Sequence, residues 1–301
     1  MASMTSTDTL PRTARRATQL TAASERATLD PFTAVDWDIP IDDRAYHLPP
    51  EWLPRYGTAE WAAMNPATRI EYSRHECAAL CGAGIWFENR LMQIVLQHLA
   101  ELPVTSPAHR YLLVEVADEC RHSTMFGEYI RRAGTPAYGP CADISTLDTL
   151  GDVPGKRALG YLLILAVEEL LDAINRATMK DNRTHPVSRQ IAKLHVAEEA
   201  RHVSFAKTYL TEIWPTLDAD ERHAVQSLAP AAVSVVADLT VDPAVYETLG
   251  IAGGEQVART NPHHRARIIE GLAKLTDFLR QLGVIDESSA QTWRDCGLIA
   301  Y

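Results

Sequence analysis

The chain has 301 residues, of which 46% are apolar and 23% charged, and a formal net charge of −10. That length suits one large helical domain or two smaller ones, and the composition is that of an ordinary globular protein. The acidic balance repels nucleic acid and anionic membranes, and no run approaches the ~18 apolar residues of a spanning helix, so neither partner is expected.

Residues 1–30 read as a flexible leader, Thr- and Ala-rich, in which polar residues dilute Arg12, Arg15 and Arg16. An organelle transit peptide is the alternative; without an apolar segment of secretory length, export is not expected. Residues 31–65 hold five prolines among Trp37, Trp52, Tyr56 and Trp61. Prolines at that density forbid a long helix, and the aromatics predict an ordered strap lying on the rest of the chain.

From 68 to 102 no proline intervenes and apolar residues recur at steps of three and four, which predicts a first long helix ended by Pro103. A second follows from about Pro107 to Ala133, stopped by Gly134 and Pro136. A Gly-, Pro- and Asp-rich loop runs to about Gly155. A third helix covers roughly 156–181, and a fourth starts near Pro186 and ends near Trp214. Shorter helices are expected around 219–228, 231–239 and 286–296, with a long one over 262–282.

The five cysteines, Cys77, Cys81, Cys120, Cys141 and Cys296, form an odd set that suits reduced thiols in a cytoplasmic protein. Cys77 and Cys81 lie one turn apart but lack a second pair to complete a metal site, so they read as small core residues.

The second and fourth helices carry matching segments, Glu115-Val-Ala-Asp118-Glu119-Cys-Arg121-His122 and His195-Val-Ala-Glu198-Glu199-Ala-Arg201-His202. The offset is 80 residues, and it also carries Glu88 onto Glu168, each 31 residues before the glutamate of its Glu-x-x-His pair. Residues three apart on a helix differ by about 60° in direction and one turn in height, so Glu119 with His122, and Glu199 with His202, can each reach one ion. Two such pairs plus a glutamate from each of two partner helices make the carboxylate-rich di-metal set of ferritin-like bundles. A solvated face of Glu/Arg pairs, such as Glu198 with Arg201, is the bland alternative. It leaves unexplained why Glu88 follows Ile85-Trp86-Phe87 and Glu168 follows the apolar run 162–167, where a buried acid needs a compensating charge.

Glu169 competes with Glu168 and Glu76 with Glu88; the repeat selects Glu168 and Glu88. His195 shares a stripe with Glu199 and His202 and has Glu115 as its counterpart. It is either a seventh ligand, or a hydrogen-bond donor behind the ligands or a plain core histidine. Asp172, one turn past Glu168, is the leading candidate to orient a ligand histidine, while Asp118 and Glu198 are expected to pair with arginines on the outer face. The expected fold is all-α: a ferritin-like four-helix bundle with core helices over about 68–214, a strap before them and extra helices after, in one domain over 31–301.

These residues resemble the AurF-type di-iron N-oxygenases, named for p-aminobenzoate N-oxygenase. The resemblance covers roughly 35–210, more loosely the C-terminal helices. It rests on Val35-Asp36-Trp37-Asp38, Tyr56-Gly57-Thr58 with Trp61, Ser73-Arg74-His75-Glu76, Gly84-Ile85-Trp86-Phe87-Glu88-Asn89, and above all on His195 with Glu199 and His202. It implies that Glu88, Glu119, His122, Glu168, His195, Glu199 and His202 bind two iron ions (a Mn/Fe pair uses the same ligands) and activate dioxygen. The implied substrate is an amine, typically an arylamine, oxidised toward hydroxylamine, nitroso or nitro products in natural-product (antibiotic) biosynthesis. No flavin, nicotinamide or iron–sulfur motif is present, so an external reductase or ferredoxin is implied as electron donor, and a homodimer is expected. Carbon hydroxylation, desaturation or iron storage are the rival outcomes. No arginine stands one turn before Glu88; Gly82, Ala83 and Gly84 suggest a roomier pocket, which Trp86, Phe87, Arg90 and Tyr161 could line.

Overall fold

The computed structural model describes residues 10–139 and 153–300. Most of the loop expected over 134–155, Cys141, and the first nine residues of the expected leader lie outside the described residues.

Four long helices form the core. Asn65 accepts from the Thr68 amide and Pro66 occupies the first turn, starting α4 (Pro66–Leu99). Ser106 and Pro107 do the same for α5 (Pro107–Ala133), which ends on Gly134 at φ 64°. The third and fourth are α6 (Lys156–Lys180) and α7 (Pro186–Ile213). The principal contacts pair α4 with α5 and α6 with α7, and the two hairpins meet through α4 with α6 and α5 with α7. Thus the 80-residue repeat becomes two similar hairpins facing one another. Among the described residues no strand forms; Tyr46 and Thr184 make an isolated parallel bridge tying the strap to the loop before α7.

The expected leader is corrected. Residues Pro11–Arg26 form α1, with Ala17, Leu20 and Thr21 buried, and α1 packs on α5 and α7. Leu10 supplies no capping side chain. Instead the Glu212 carboxylate at the far end of α7 accepts from the Arg12 amide (3.0 Å), the Thr13 amide (2.7 Å) and the Thr13 hydroxyl (2.8 Å). The distant carboxylate satisfies donors that a local reading sees as orphaned.

The strap contains only α2 (Pro31–Ala34), one 3-10 turn and α3 (Ala59–Ala63), as its prolines dictate. The C-terminal part departs from expectation. One helix, α8 (Ala219–Asp238), replaces two and runs through Pro230, because Val225, Ala229, Val233 and Val236 hold it against α6. An 18-residue window within 219–248 reaches mean hydropathy 1.5, apolar enough to pass for a spanning helix, yet Val225, Ala229, Ala232, Val233 and Val236 of α8 are buried within the protein. Two short helices, α9 (Pro243–Thr248) and α10 (Gly254–Thr260), were not anticipated. The expected 262–282 helix is α11 (Pro262–Gly271) and α12 (Ala273–Leu282), broken at Leu272. Gly271 lies so close to α6 that a Cβ there would come 2.7 Å from Leu170 Cδ1, which ties the break to close packing. The last helix, α13, is Ala290–Asp295.

Candidate metal centre

The seven predicted side chains converge between the two hairpins. Glu88 comes from α4, Glu119 and His122 from α5, Glu168 from α6, and His195, Glu199 and His202 from α7. None is more than 2% exposed. Three groups bring their ligand atoms within 4.8 Å of one another: Glu88, His122, His195 and Glu199; Glu119, Glu199 and His202; and Glu88, Glu119 and Glu168. Glu88, Glu119 and Glu199 each belong to two groups, as carboxylates shared between neighbouring ions would. His122 Nδ1 lies 2.9 Å from Glu119 and 3.0 Å from Glu199. His202 Nδ1 lies 2.9 Å from Glu119 and 2.8 Å from Glu199. His195 presents its other nitrogen, Nε2, at 3.4 Å from Glu199 and 3.6 Å from Glu88. The competitors fall elsewhere: Glu169 pairs with Lys207, and Glu76 accepts from the Tyr246 hydroxyl at 2.9 Å.

The carboxylates orienting the histidines are a correction to the sequence reading. Asp118 and Glu198 are buried, not on the outer face. His122 Nε2–H donates to Glu198 across the bundle at 2.9 Å, and His202 Nε2 lies 3.3 Å from Asp118. Each hairpin therefore positions the other's histidine. Arginines join from outside: Arg201 lies 3.3 Å from Asp118 and 3.5 Å from Glu198, and Arg121 pairs with Asp118. A step of four residues returns a helix to within about 40° of the same direction, so an acid four before a ligand histidine cannot face outward when the histidine faces in. Asp172 instead binds Arg176 at 2.7 Å and Lys274 at 3.0 Å. The partner of His195 is Asn175, whose amide lies 3.1 Å from Nδ1. Its Nδ2 is the atom that faces the ring; a half-turn of the amide would bring its oxygen there to accept the Nδ1–H and leave a lone pair on Nε2. Asn175 is seven residues past Glu168, two turns along the same stripe; that is the signal that would have found it.

Electrostatics favour cations here. Burial pushes the Glu88 and Glu168 carboxyls well above the usual range, and neighbouring carboxylates add to it. Burial likewise takes Glu115 up to about 8 and His195 down to about 4, so both are neutral at pH 7. Burial also opposes ionisation of Asp118, but His202, Arg121 and Arg201 outweigh it and hold that carboxyl low. With Glu115 protonated and the imidazoles neutral, as metal ligands must be, ionised Glu88, Asp118, Glu119, Glu168, Glu198 and Glu199 set against Arg121 and Arg201 leave four negative charges, which two divalent ions would neutralise. Buried oxygens of Glu88, Glu119, Glu168 and Glu199, and Nε2 of His195, have no hydrogen-bond partner among the described residues. Orphaned atoms at such density are costly unless a ligand takes them, so the donor set fits a pair of metal ions.

Among the described residues, the small residues before Glu88 face packed groups. Phe126 packs 3.1 Å from where a Gly84 Cβ would stand, and the Tyr138 carbonyl fills the space beside Gly82. A void of about 40 Å³ touches Gly84, Phe126, Asn175 and Ile191. Trp86, Phe87 and Arg90 line a different space, a cleft of about 510 Å³ between α4 and α6. Tyr161 is fully buried and hydrogen-bonds His98 Nδ1 at 2.6 Å.

The family described as p-aminobenzoate N-oxygenase AurF matches residues 11–283 of the chain. Uncharacterized proteins of Mycobacterium bovis and Mycobacterium tuberculosis are each 27% identical to it over 289 residues, covering 92% of this chain and 85% of the relative.

Proposed function

The chain belongs to the p-aminobenzoate N-oxygenase AurF family, and from that premise we propose that it is a di-iron N-oxygenase that oxidises an amine, an arylamine by preference. The observation that carries the reading is the buried convergence of four carboxylates and three imidazoles with unpartnered ligand atoms. We assign Glu88, Glu119, His122, Glu168, His195, Glu199 and His202 as the ligands. Two iron ions held there would supply two-electron activation of dioxygen.

The protein's own part is geometric and electrostatic. Glu198 and Asp118 take the outer N–H of His122 and His202, fixing tautomer and ring orientation, and the Asn175 amide, 3.1 Å from His195 Nδ1, holds that ring in place. Phe126, 5.3 Å from the His195 ring, covers that side with apolar surface and keeps water away. Glu115, neutral at pH 7 and with Oε2 unpartnered, can hold a proton within the buried shell. The reading includes a cytoplasmic homodimer serving natural-product biosynthesis, with an external reductase or ferredoxin as electron donor.

The test is incubation of iron-loaded, reduced protein with a panel of arylamines under isotopically labelled dioxygen, followed by mass spectrometry. Label on nitrogen, as hydroxylamine, nitroso or nitro product, is expected. Label on carbon, a desaturated product, or iron mineralisation without substrate oxidation would each overturn the assignment.

A further inference from the structure

The cleft between α4 and α6 has the make-up of a ligand site rather than of a surface furrow. Its volume, about 510 Å³, is that of pockets that enclose small molecules. Phe87, Leu91, Ile94, Leu163, Ile164 and Val167 give it an apolar floor. Its charged residues are Arg90, Lys156, Arg157 and a single acid, Glu101, a positive balance in a chain of net charge −10. Arg157 pairs with Glu101, and Arg90 lies over the Trp86 ring at 5.4 Å. Lys156 has no ion-pair partner among the described residues, and α6 begins there without a side-chain cap. His98 also lines the cleft and is 3% exposed; Tyr161 takes its Nδ1, and its other nitrogen has no hydrogen-bond partner among the described residues. Cations, a helix start and a buried imidazole thus gather at one end of an apolar trough.

We propose that this cleft binds an elongated amphipathic molecule, with its anionic group held by Lys156 and Arg157 and its apolar body lying along the floor toward Phe87. The inner end leads toward the metal centre. Phe87 and Val167 also border a void of about 10 Å³, and that void shares Leu80, Gly84 and Leu171 with the 40 Å³ void that reaches Asn175. Phe87 with Val167, then Leu80 with Leu171, stand between the cleft and the void that touches Asn175, the partner of His195. From Arg157 to Glu168 is eleven residues of one helix, about 16 Å along its axis. An anion anchored at the outer end therefore sits too far from the centre for a single-ring amino acid to span. On the oxygenase reading above, the occupant is the amine substrate, a long amine with its amino-bearing ring at the inner end and a carboxylate at the other.

The experiment is calorimetric titration of the iron-loaded protein with ω-aminododecanoate, with dodecylamine and p-aminobenzoate as comparators. One ω-aminododecanoate per chain is expected, binding about tenfold more tightly than dodecylamine at low salt, with the advantage shrinking as salt rises. Lys156→Glu, an exposed substitution, is expected to remove that advantage, and Leu163→Trp, which fills the floor, to abolish binding at an unchanged thermal midpoint. Equal binding of dodecylamine, undiminished binding in either variant, or equally tight binding of p-aminobenzoate overturns the proposal. Binding is read without turnover, so the two readings fail separately. Tight binding with no oxidation counts against the oxygenase, and oxidation of short arylamines with no cleft binding counts against the cleft.

Discussion

Replacing Glu198 with glutamine tests whether the crossed carboxylates govern metal affinity. Glu198 is fully buried, receives His122 Nε2–H at 2.9 Å, and also lies 3.5 Å from Arg201 and 3.4 Å from the Leu29 amide. Glutamine keeps the shape and can still accept the imidazole N–H, but it withdraws the negative charge that makes the far nitrogen basic. Loss of such an orienting partner weakens metal binding by roughly 10–100-fold, or about 1.4–2.7 kcal/mol. Arg201 keeps Asp118 at 3.3 Å, so no uncompensated guanidinium is added to the cost. Asp118→Asn should act on the ion held by His202, whereas Glu198→Gln acts on the ion held by His122. Asp172→Asn is the control, since Asp172 engages only Arg176 and Lys274. The assay is ferrous ion titration against a competing chelator, resolving two binding steps. Affinity for both ions within about threefold of wild type in Glu198→Gln would refute the reasoning, as would an equal loss in Asp172→Asn.

Asn175→Leu should leave helicity unchanged, lower iron occupancy, and slow oxygen uptake by the reduced protein about tenfold; unchanged uptake kinetics would deny Asn175 its role. Glu212→Ala removes three hydrogen bonds from the start of α1 and should cost about 1–2 kcal/mol, with amide exchange rising over 11–26. Burial raises the Glu76 carboxyl from 4.5 to about 7. The stability this neutral group contributes is complete below about pH 4.5 and is lost as pH rises through about 7, on the order of 3 kcal/mol in all. Urea midpoints of Glu76→Gln should therefore fall less than those of wild type between about pH 5 and about pH 8, and parallel profiles would contradict this.

The core helices and the converging side chains were legible because both are periodic. Proline and cap residues bounded α4 and α5 to within a few residues, and the 80-residue offset picked Glu88 and Glu168 from neighbours of the same type. What escaped depended on partners distant in sequence. Nothing near Arg12 announces that Glu212 will cap its helix. Asp172 looked closer to Glu168 than Asn175 does, but the Lys274 ammonium takes it. Asp118 and Glu198 were misplaced by pairing them with adjacent arginines, although their own repeat register, 118 with 198, put them on the histidine side. Pro230 and Leu272 misled in opposite directions, because tertiary contact decides whether a helix tolerates a proline or breaks without one.

The clasp of Glu212 on Arg12 has a consequence for how the protein is born. Its two halves are separated by 200 positions. At about 5–20 residues per second, a ribosome needs on the order of 10–40 s to deliver the carboxylate after the amide has emerged. Helix α1 is thus made long before its cap exists. Throughout that interval α1 can lie against α5 but has neither α7 nor the Glu212 carboxylate to complete its seat.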